Sequence, residues 1–403
     1  MAFDFILRAL TERREQSLFR HRQCVEASTG TLIKVDGQHY INFASNDYLG
    51  MRQSMEVMQG WVDGISEFGG GSGASPLVTG YTKAHRALEV YLAEALGREQ
   101  VLLFNSGFAA NQAICQALFK DPSGPVGSIV ADKLIHASLI DGALASQANF
   151  LRFRHNDLSH LQQQLTKTSG DTLVVTEGVF SMDGDQAPLL NMLPIVDRHQ
   201  AWLMLDDAHG FGILGDTGMG CTEAFSLSQA QLPILMATFG KAIGTAGAFV
   251  AGSRELIDYL SNFSRHYIYS TAMPPAQATA TLASLRAIRT GAQRQQLHDN
   301  IQQFKQLSLA AGIKLMQSDS PVQPVIVGDP QAALAASERL KSLGIWVSAI
   351  RFPTVPKGTD RLRVTVAASH QAEDIIALVD ALQLTLLDNK ECAPIKNECP
   401  DGN

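Results

Sequence analysis

Five short apolar runs, Gln100–Phe104, Ser128–Ala131, Thr172–Thr176, Trp202–Leu205 and Ile234–Thr238, recur along the middle of this chain. Each is rich in Val, Ile and Leu and lacks the polar alternation of a strand with one wet face, so both faces must be covered. Segments such as Leu134–Ala148 and Leu189–His199, long enough for helices, separate most of them. Strands joined in this way make a mainly parallel sheet with helices on both faces, an α/β fold. The further run Ala246–Ala251 follows Thr238 through a Gly-rich link. That link is too short for a helical crossover, so this strand is antiparallel to its predecessor.

The flanks read differently. Phe3, Ile6, Leu7 and Leu10 fall at helical spacing, and a helix is expected over 3–23, either packed on the body or reaching the substrate. Strands at Thr31–Val35 and Tyr40–Phe43 are joined by Asp36-Gly37, a hairpin signal. Pro274-Pro275 opens a helix near Ala276, and a smaller α+β C-terminal domain follows. Its strands are expected at Val322–Val327, Ile345–Ile350 and Leu362–Ala367, and its helices at Gln331–Ser342 and Ala372–Leu387. The expected division is an N-terminal helix and hairpin (1–45), a large α/β domain (46–275), the small domain (276–387) and a disordered tail (388–403).

Composition excludes several classes of function. A net charge of −7 with 18% charged residues does not suit a nucleic-acid binder. No run approaches the length of a membrane span, and the N-terminal apolar stretch is too interrupted for a signal peptide. The 5 cysteines are odd in number and form no C-x-x-C pair, which favours a reducing, cytoplasmic compartment.

Chemistry gathers at the ends of the predicted strands. Lys241 lies between Gly240 and Ala242, with room for its amine to form an imine with an aldehyde cofactor. Asp206-Asp207-Ala208-His209 ends the strand before. Adjacent aspartates alternate faces, so only one of Asp206 and Asp207 can point at a given ligand. A Schiff-base lysine with a carboxylate for a ring nitrogen is the combination that pyridoxal 5'-phosphate demands. Ser106-Gly107-Phe108 follows a strand and opens a helix, which makes an anion site. The glycine-rich Gly69–Pro76 fits neither G-x-G-x-x-G nor a P-loop, and Gly240-Lys241 is followed by Ala242 rather than a hydroxyl. A nucleotide phosphate and a metal are both not expected.

These motifs resemble those of the α-oxoamine synthases, a family of fold-type-I pyridoxal-phosphate transferases. The resemblance runs over about residues 5–385 and is carried by Phe43–Gly50, Val78–Glu89, Ser106–Ala113, Val174–Asp185, Asp206–Gly210, Thr238–Ala242, Tyr269–Ala278 and Ile350–Thr359. It implies that Lys241 binds the cofactor, Asp206 pairs with its ring nitrogen and His209 approaches the ring oxygen. It also implies that His136 stacks on the ring, Ser181 lies near it, and Thr238 with Gly107 and Phe108 holds the phosphate. Arg351 and Asn46 would take the amino-acid carboxylate, and Arg20 and Thr354 would contact substrate. Taken alone, Arg20 sits in a basic run with Arg13, Arg14, His21 and Arg22, which reads as a solvated face.

The branch that the segments resemble most condenses L-alanine with a pimeloyl thioester, on coenzyme A or acyl carrier protein, with loss of CO₂, in biotin synthesis. Two departures touch acyl-chain choice. The segment His136–Gly142 leans toward a glycine-using ligase of the same family, and Phe352 stands where a proline is expected. A cofactor-free partner subunit is the third reading, and the retained Lys241 argues against it. The family further implies a homodimer in which a hydroxyl of Ser270 or Thr271 reaches the neighbouring subunit's phosphate; without the resemblance these two read as helix caps.

Overall fold

The computed structural model describes residues 2–16, 18–120 and 124–391. Its N-terminal helix, Phe5–Glu15, stops well short of 23 because the apolar positions end at Leu10 and basic residues follow. None of its residues is buried, and Phe5, Ile6, Leu7 and Leu10 all face solvent. Three strands follow, β1 (Val25–Thr29), β2 (Leu32–Val35) and β3 (Gln38–Asn42). The turn from β2 to β3 has Asp36 and Gly37 at φ 48° and 76°. Two successive positive values define the tight hairpin turn that an Asp-Gly pair favours.

The central sheet has seven strands: β4 (Gln100–Phe104), β5 (Ser128–Asp132), β6 (Asn149–Phe153), β7 (Thr172–Glu177), β8 (Trp202–Asp206), β9 (Ile234–Thr238) and β10 (Ala248–Gly252). Their order is β4-β10-β9-β8-β7-β5-β6. The neighbours from β9 to β6 are parallel, and β10 is antiparallel to both β9 and β4, as the short Gly-rich link requires. Alternate residues of each strand enter two separate cores. Val130, Val174, Leu203 and Leu235 pack on one face, and Ile129, Val175, Met204 and Met236 on the other. That double burial is the physical reason the runs read as unbroken apolar stretches.

The strand β6 is absent from the sequence reading because it is an edge strand, only partly buried, with the charged Arg152 within it. The helix expected over 134–148 is shorter, Ala137–Leu144, with His136 as its N-cap. The helix Pro275–Ile288 starts with proline at its first turn. It packs against the helix Met55–Phe68 at very close range: a Cβ on Gly64 would fall 2.5 Å from Ala276 Cα.

Beyond it lie β11 (Val322–Ile326), β12 (Ile345–Trp346), β13 (Ser348–Ile350) and β14 (Arg361–Thr365). The single strand expected at Ile345–Ile350 is split. β12 pairs in parallel with β3 of the hairpin sheet, while β13 joins β14 and β11 in a sheet of order β11-β14-β13. The last helix, Ala372–Glu391, continues past 387, where the sequence places the start of a tail. The remainder of that tail, 392–403, lies outside the described residues. Among the described residues, no helix is long and apolar enough to cross a membrane.

An ion-pair cluster braces the C-terminal end of β5. His155 Nδ1 lies 3.0 Å from Asp132 Oδ1 and Nε2 lies 2.8 Å from Asp185 Oδ2. Burial opposes the charged imidazolium, but the two carboxylates outweigh it and raise His155 to about 10. A histidine raised in this way stabilises the fold fully below its ordinary value, and the contribution is lost as pH climbs through about 10. His155→Gln should therefore cost roughly 2–4 kcal/mol in denaturant titrations at pH 6, and the difference should shrink toward pH 10. An equal loss at both pH values would show that the ion pairs are not its source.

Candidate active site

The C-terminal ends of β5, β7, β8 and β9 and the turn after β4 converge at one edge of the central sheet, where open α/β sheets collect ligands. Lys241 occupies the turn between β9 and β10. Phe239 N–H donates to Gly247 O and Gly244 N–H to Lys241 O, both at 2.9 Å, so the hairpin fixes the lysine backbone. Burial pushes the Lys241 ammonium down to about 8; Asp206 and Glu177 oppose the fall and Arg363 adds to it. Such an amine is accessible in its neutral form near physiological pH, as imine formation or proton abstraction requires.

Asp206 and Asp207 part at the end of β8, as alternation dictates. Asp206 faces the helix Gly107–Leu118: Asn111 Nδ2 donates to its Oδ2 at 2.8 Å and Ala208 N–H to its Oδ1 at 3.1 Å. Asp207 turns to the other face, where Cys221 N–H donates to its Oδ2 at 2.7 Å. A Cβ on Gly178, Gly210 or Gly220 would lie 2.4, 2.2 or 2.0 Å from an Asp207 oxygen, so glycine wraps this carboxyl on three sides. Burial raises Asp207 to about 7.

Two imidazoles flank the lysine. His136 Nδ1 accepts from Ser138 N–H at 3.3 Å, and the Phe108 ring stands edge-on to it with centroids 6.4 Å apart. Burial lowers the His136 imidazolium, with Asp206 opposing and Lys241 reinforcing. His209 is held well below its ordinary range by burial first, then by Lys241, Arg363 and His136. Its Nδ1 lies 2.7 Å from the Tyr48 hydroxyl, which in turn lies 3.2 Å from Asn46 Oδ1. Arg363 closes this network from β14. Its Nε donates to Ser181 O at 2.8 Å and its Nη1 to Asn46 Oδ1 at 3.3 Å. Asn46, Ser181 and His209, far apart in sequence, thus share one network.

At the other side of the lysine, Ser106 caps the helix Gly107–Leu118 by accepting from Ala109 N–H at 3.2 Å. A Cβ on Gly107 would fall 2.6 Å from Thr238 Cγ2, so only glycine lets the helix end approach β9. The Thr238 hydroxyl is buried there without a partner among the described residues. An unpaired buried hydroxyl beside free helix amides offers donors to an anion.

The remaining expected residues lie further out. Arg20 is exposed in the irregular stretch after the first helix. Arg351 and Thr354 share the turn after β13, Thr354 N–H donating to Arg351 O at 2.9 Å. Ser270 and Thr271 border a recess with Tyr81, His85, Glu89 and Asn105, and Asn105 Nδ2 donates to Thr271 O at 2.6 Å. They do not cap the following helix, whose N-cap is Pro274. The sequence reading passed over Glu177, Asn111, Tyr48 and Arg363. The available signal was a charged residue ending an apolar strand at Glu177, in register with Asp206.

The sequence profile of aminotransferase class I and II matches residues 38–382. The 8-amino-7-oxononanoate synthase of Aeromonas salmonicida (strain A449) is 48% identical over 375 residues, 93% of either chain. Among solved structures, the serine palmitoyltransferase of Sphingomonas wittichii superposes with a TM-score of 0.89 at 28% identity, covering 97% of this chain and 99% of that one. That of S. paucimobilis, solved with PLP and myriocin bound, superposes at 0.88 and 27% identity over 95% and 97%. The chain belongs to the aminotransferase class I and II family, in its 8-amino-7-oxononanoate synthase branch.

Proposed function

We infer that this chain is a pyridoxal-phosphate-dependent acyltransferase that condenses L-alanine with a pimeloyl thioester to give 8-amino-7-oxononanoate, CO₂ and free thiol, in biotin biosynthesis. The observation that carries the reading is the buried Lys241 amine, lowered to about 8, near the Asp206 carboxylate and on the turn that follows Thr238, whose buried hydroxyl has no partner among the described residues. The residues fit the cofactor. Thr238 and the Gly107 and Phe108 amides suit a phosphate, and the Gly107–Thr238 approach leaves no space for a Cβ. Asp206, met by two donors, suits a protonated ring nitrogen, and His209 and Ser181 suit the ring oxygen.

When bound, pyridoxal phosphate supplies a ring that accepts the electron pair left on an amino acid's α-carbon. Asp206 would hold the proton of the ring nitrogen, and His136 would help to hold the ring. Lys241 would hold the cofactor and could take the substrate's α-proton, its lowered basicity matching neutral pH. The substrate carboxylate meets Asn46 and a guanidinium. Arg351 is the choice from sequence, and Arg363 is the arginine already against Asn46. Arg20 and Thr354 contact substrate. The large domain (46–275) carries the lysine, and the small one (276–387) carries Arg351 and Arg363, of which Arg363 reaches the site.

The test is purified protein offered L-alanine or glycine with pimeloyl or acetyl thioesters, on coenzyme A and on acyl carrier protein. Turnover of alanine with the pimeloyl thioester is expected. Turnover confined to glycine and the acetyl thioester would instead support the ligase reading that the His136–Gly142 segment favours. Arg363→Ala and Arg351→Ala should each raise the Michaelis constant for alanine, by roughly 2–4 kcal/mol for the arginine that pairs with the carboxylate. An unmoved value for one of them assigns that arginine elsewhere.

In this reading the protein is a cytoplasmic homodimer with shared active sites. Supporting the dimer are the exposed apolar side chains Met55, Met58, Val62, Ile65, Leu77 and Val78. Supporting the shared site is the position of Ser270 and Thr271, which cap no helix and face a recess. Mixing Lys241→Ala chains with chains lacking both hydroxyls should restore part of the activity, since one hybrid site would be intact. An active monomer by light scattering would refute the arrangement.

A further inference from the structure

One buried acid at the site has no part in the reaction as described above. Glu177 ends β7 directly opposite Asp206 in the parallel register, so the two carboxyl groups project from the same face of the sheet. Glu177 is 2% exposed, and its Oε1 is buried without a hydrogen-bond partner among the described residues. The backbone amides of His136, ahead of the helix Ala137–Leu144, and of Ser181, in the loop after β7, face the same carboxyl.

The charges around it decide its state. From β8 comes Asp206, which already receives hydrogen bonds from Asn111 and Ala208. From the β9–β10 turn comes Lys241. Further out, Arg363 of β14 reaches Ser181 O, and Asp207 and His209 stand beyond Asp206. Burial raises the Glu177 carboxyl well above its ordinary value and Asp206 raises it further; Lys241 and the two amides oppose this without reversing it. Two carboxylates side by side cannot both stay ionised in a dry site, and the one with an oxygen that meets no donor keeps the proton. Asp206 has a side-chain amide and a backbone amide within 3.1 Å. Glu177 meets two backbone amides, but its Oε1 has no partner among the described residues.

We propose that Glu177 is a positioning residue of the reaction centre that works as a neutral carboxylic acid. Its carbonyl oxygen steadies the His136 and Ser181 backbone while its proton leaves Asp206 as the only anion of this pair beside Lys241. An ionised Glu177 would add a second negative charge next to the lysine and hold it as an ammonium, which neither attacks a carbonyl nor takes a proton. A neutral one leaves the lysine free to lose its proton near neutral pH. This rests on the reading of Lys241 as the cofactor lysine. The test below is built on the protonation state of the full chain, so it can fail while that reading stands.

The experiment compares wild-type protein with Glu177→Gln, whose amide copies a protonated acid in shape and in having one donor and one acceptor. Infrared difference spectra of the two at pH 7 should show a protonated-carboxyl band present only in the wild type. The difference is needed because Glu89 and Asp207 are also raised to about 7. Should Glu177→Gln not fold, Glu177→Met serves for the same subtraction. In the cofactor-loaded protein, the pH midpoint of the visible absorbance should stay within about twofold in proton concentration in Glu177→Gln. Glu177→Ala, which leaves both amides unpaired, should weaken cofactor retention by roughly tenfold or more, and Glu177→Gln should restore it. No carboxyl band at pH 7, or a midpoint in Glu177→Gln lower by about one unit or more, would mean that Glu177 is ionised and overturn the proposal. Unchanged cofactor retention in Glu177→Ala would remove the positioning role.

Discussion

Lys241→Ala should abolish both turnover and the visible absorbance of the bound cofactor, with a rate loss of at least about four powers of ten. The β9–β10 hairpin should survive, because its hydrogen bonds at Phe239, Gly244 and Thr245 are made by backbone atoms. The unloaded protein offers a second measurement. A lysine lowered to about 8 in the fold, from an ordinary value near 10.5, carries its burial penalty in full below pH 8. That penalty is relieved as pH rises through the window between the two values, so the cofactor-free protein should gain stability there. The gain should vanish in Lys241→Ala. Binding of the cofactor stabilises only the protein that can hold it, so the rise in melting temperature on adding pyridoxal phosphate should also shrink in the variant. A yellow, fully active Lys241→Ala protein would sink the functional assignment as a whole.

The parts of this molecule that could be read from sequence share a physical cause. β5, β7, β8 and β9 sit between two cores, so their burial is written locally as continuous Val, Ile and Leu. β10 was predictable in direction because chain length alone forbids a crossover in so short a link. β1 and β6, exposed or partly so, carry polar residues that hide the strand. The split of Ile345–Ile350 between β12 and β13 is set by which sheet each half can reach, a tertiary matter.

The candidate site divides in the same way. Lys241 and the Asp206–His209 run could be singled out because such residue types at strand ends are uncommon in a core, while the choice of Asp206 over Asp207 and the inclusion of Thr238 came from the family resemblance. Their supporting partners could not. Tyr48 lies 161 positions from His209, Asn111 lies 95 from Asp206, and Arg363 lies 317 from Asn46. In sequence Arg361 and Arg363 alternate with apolar residues, the pattern of a strand with one wet face, yet both are buried. Their charge is met by Asp183 at 2.8 Å and by the Ser181 carbonyl, partners that only the folded chain supplies.

The two aspartates that end β8 should separate chemistry from stability. Asp206→Asn should keep the cofactor bound but lower the rate by roughly two to four powers of ten, because a neutral amide cannot hold a proton on the ring nitrogen. It also disturbs local pairing. Asp206 accepts from Asn111 on one oxygen and from Ala208 on the other, and an amide can accept on only one side. A stability loss of about 1–3 kcal/mol should accompany the kinetic one. Asp207 stands in the opposite position. Its carboxyl, raised to about 7, carries a proton part of the time near neutral pH, so asparagine resembles a form the site already accepts. The amide oxygen can keep the bond from Cys221 N–H. Asp207→Asn should then change the rate by less than about tenfold. Asp207→Ala should instead unfold at markedly lower denaturant, since it empties the space that Gly178, Gly210 and Gly220 enclose. Steady-state rates and denaturant midpoints for the three variants decide the matter. If Asp207→Asn proved slower than Asp206→Asn, the face of β8 that meets the cofactor would be the reverse of the one described.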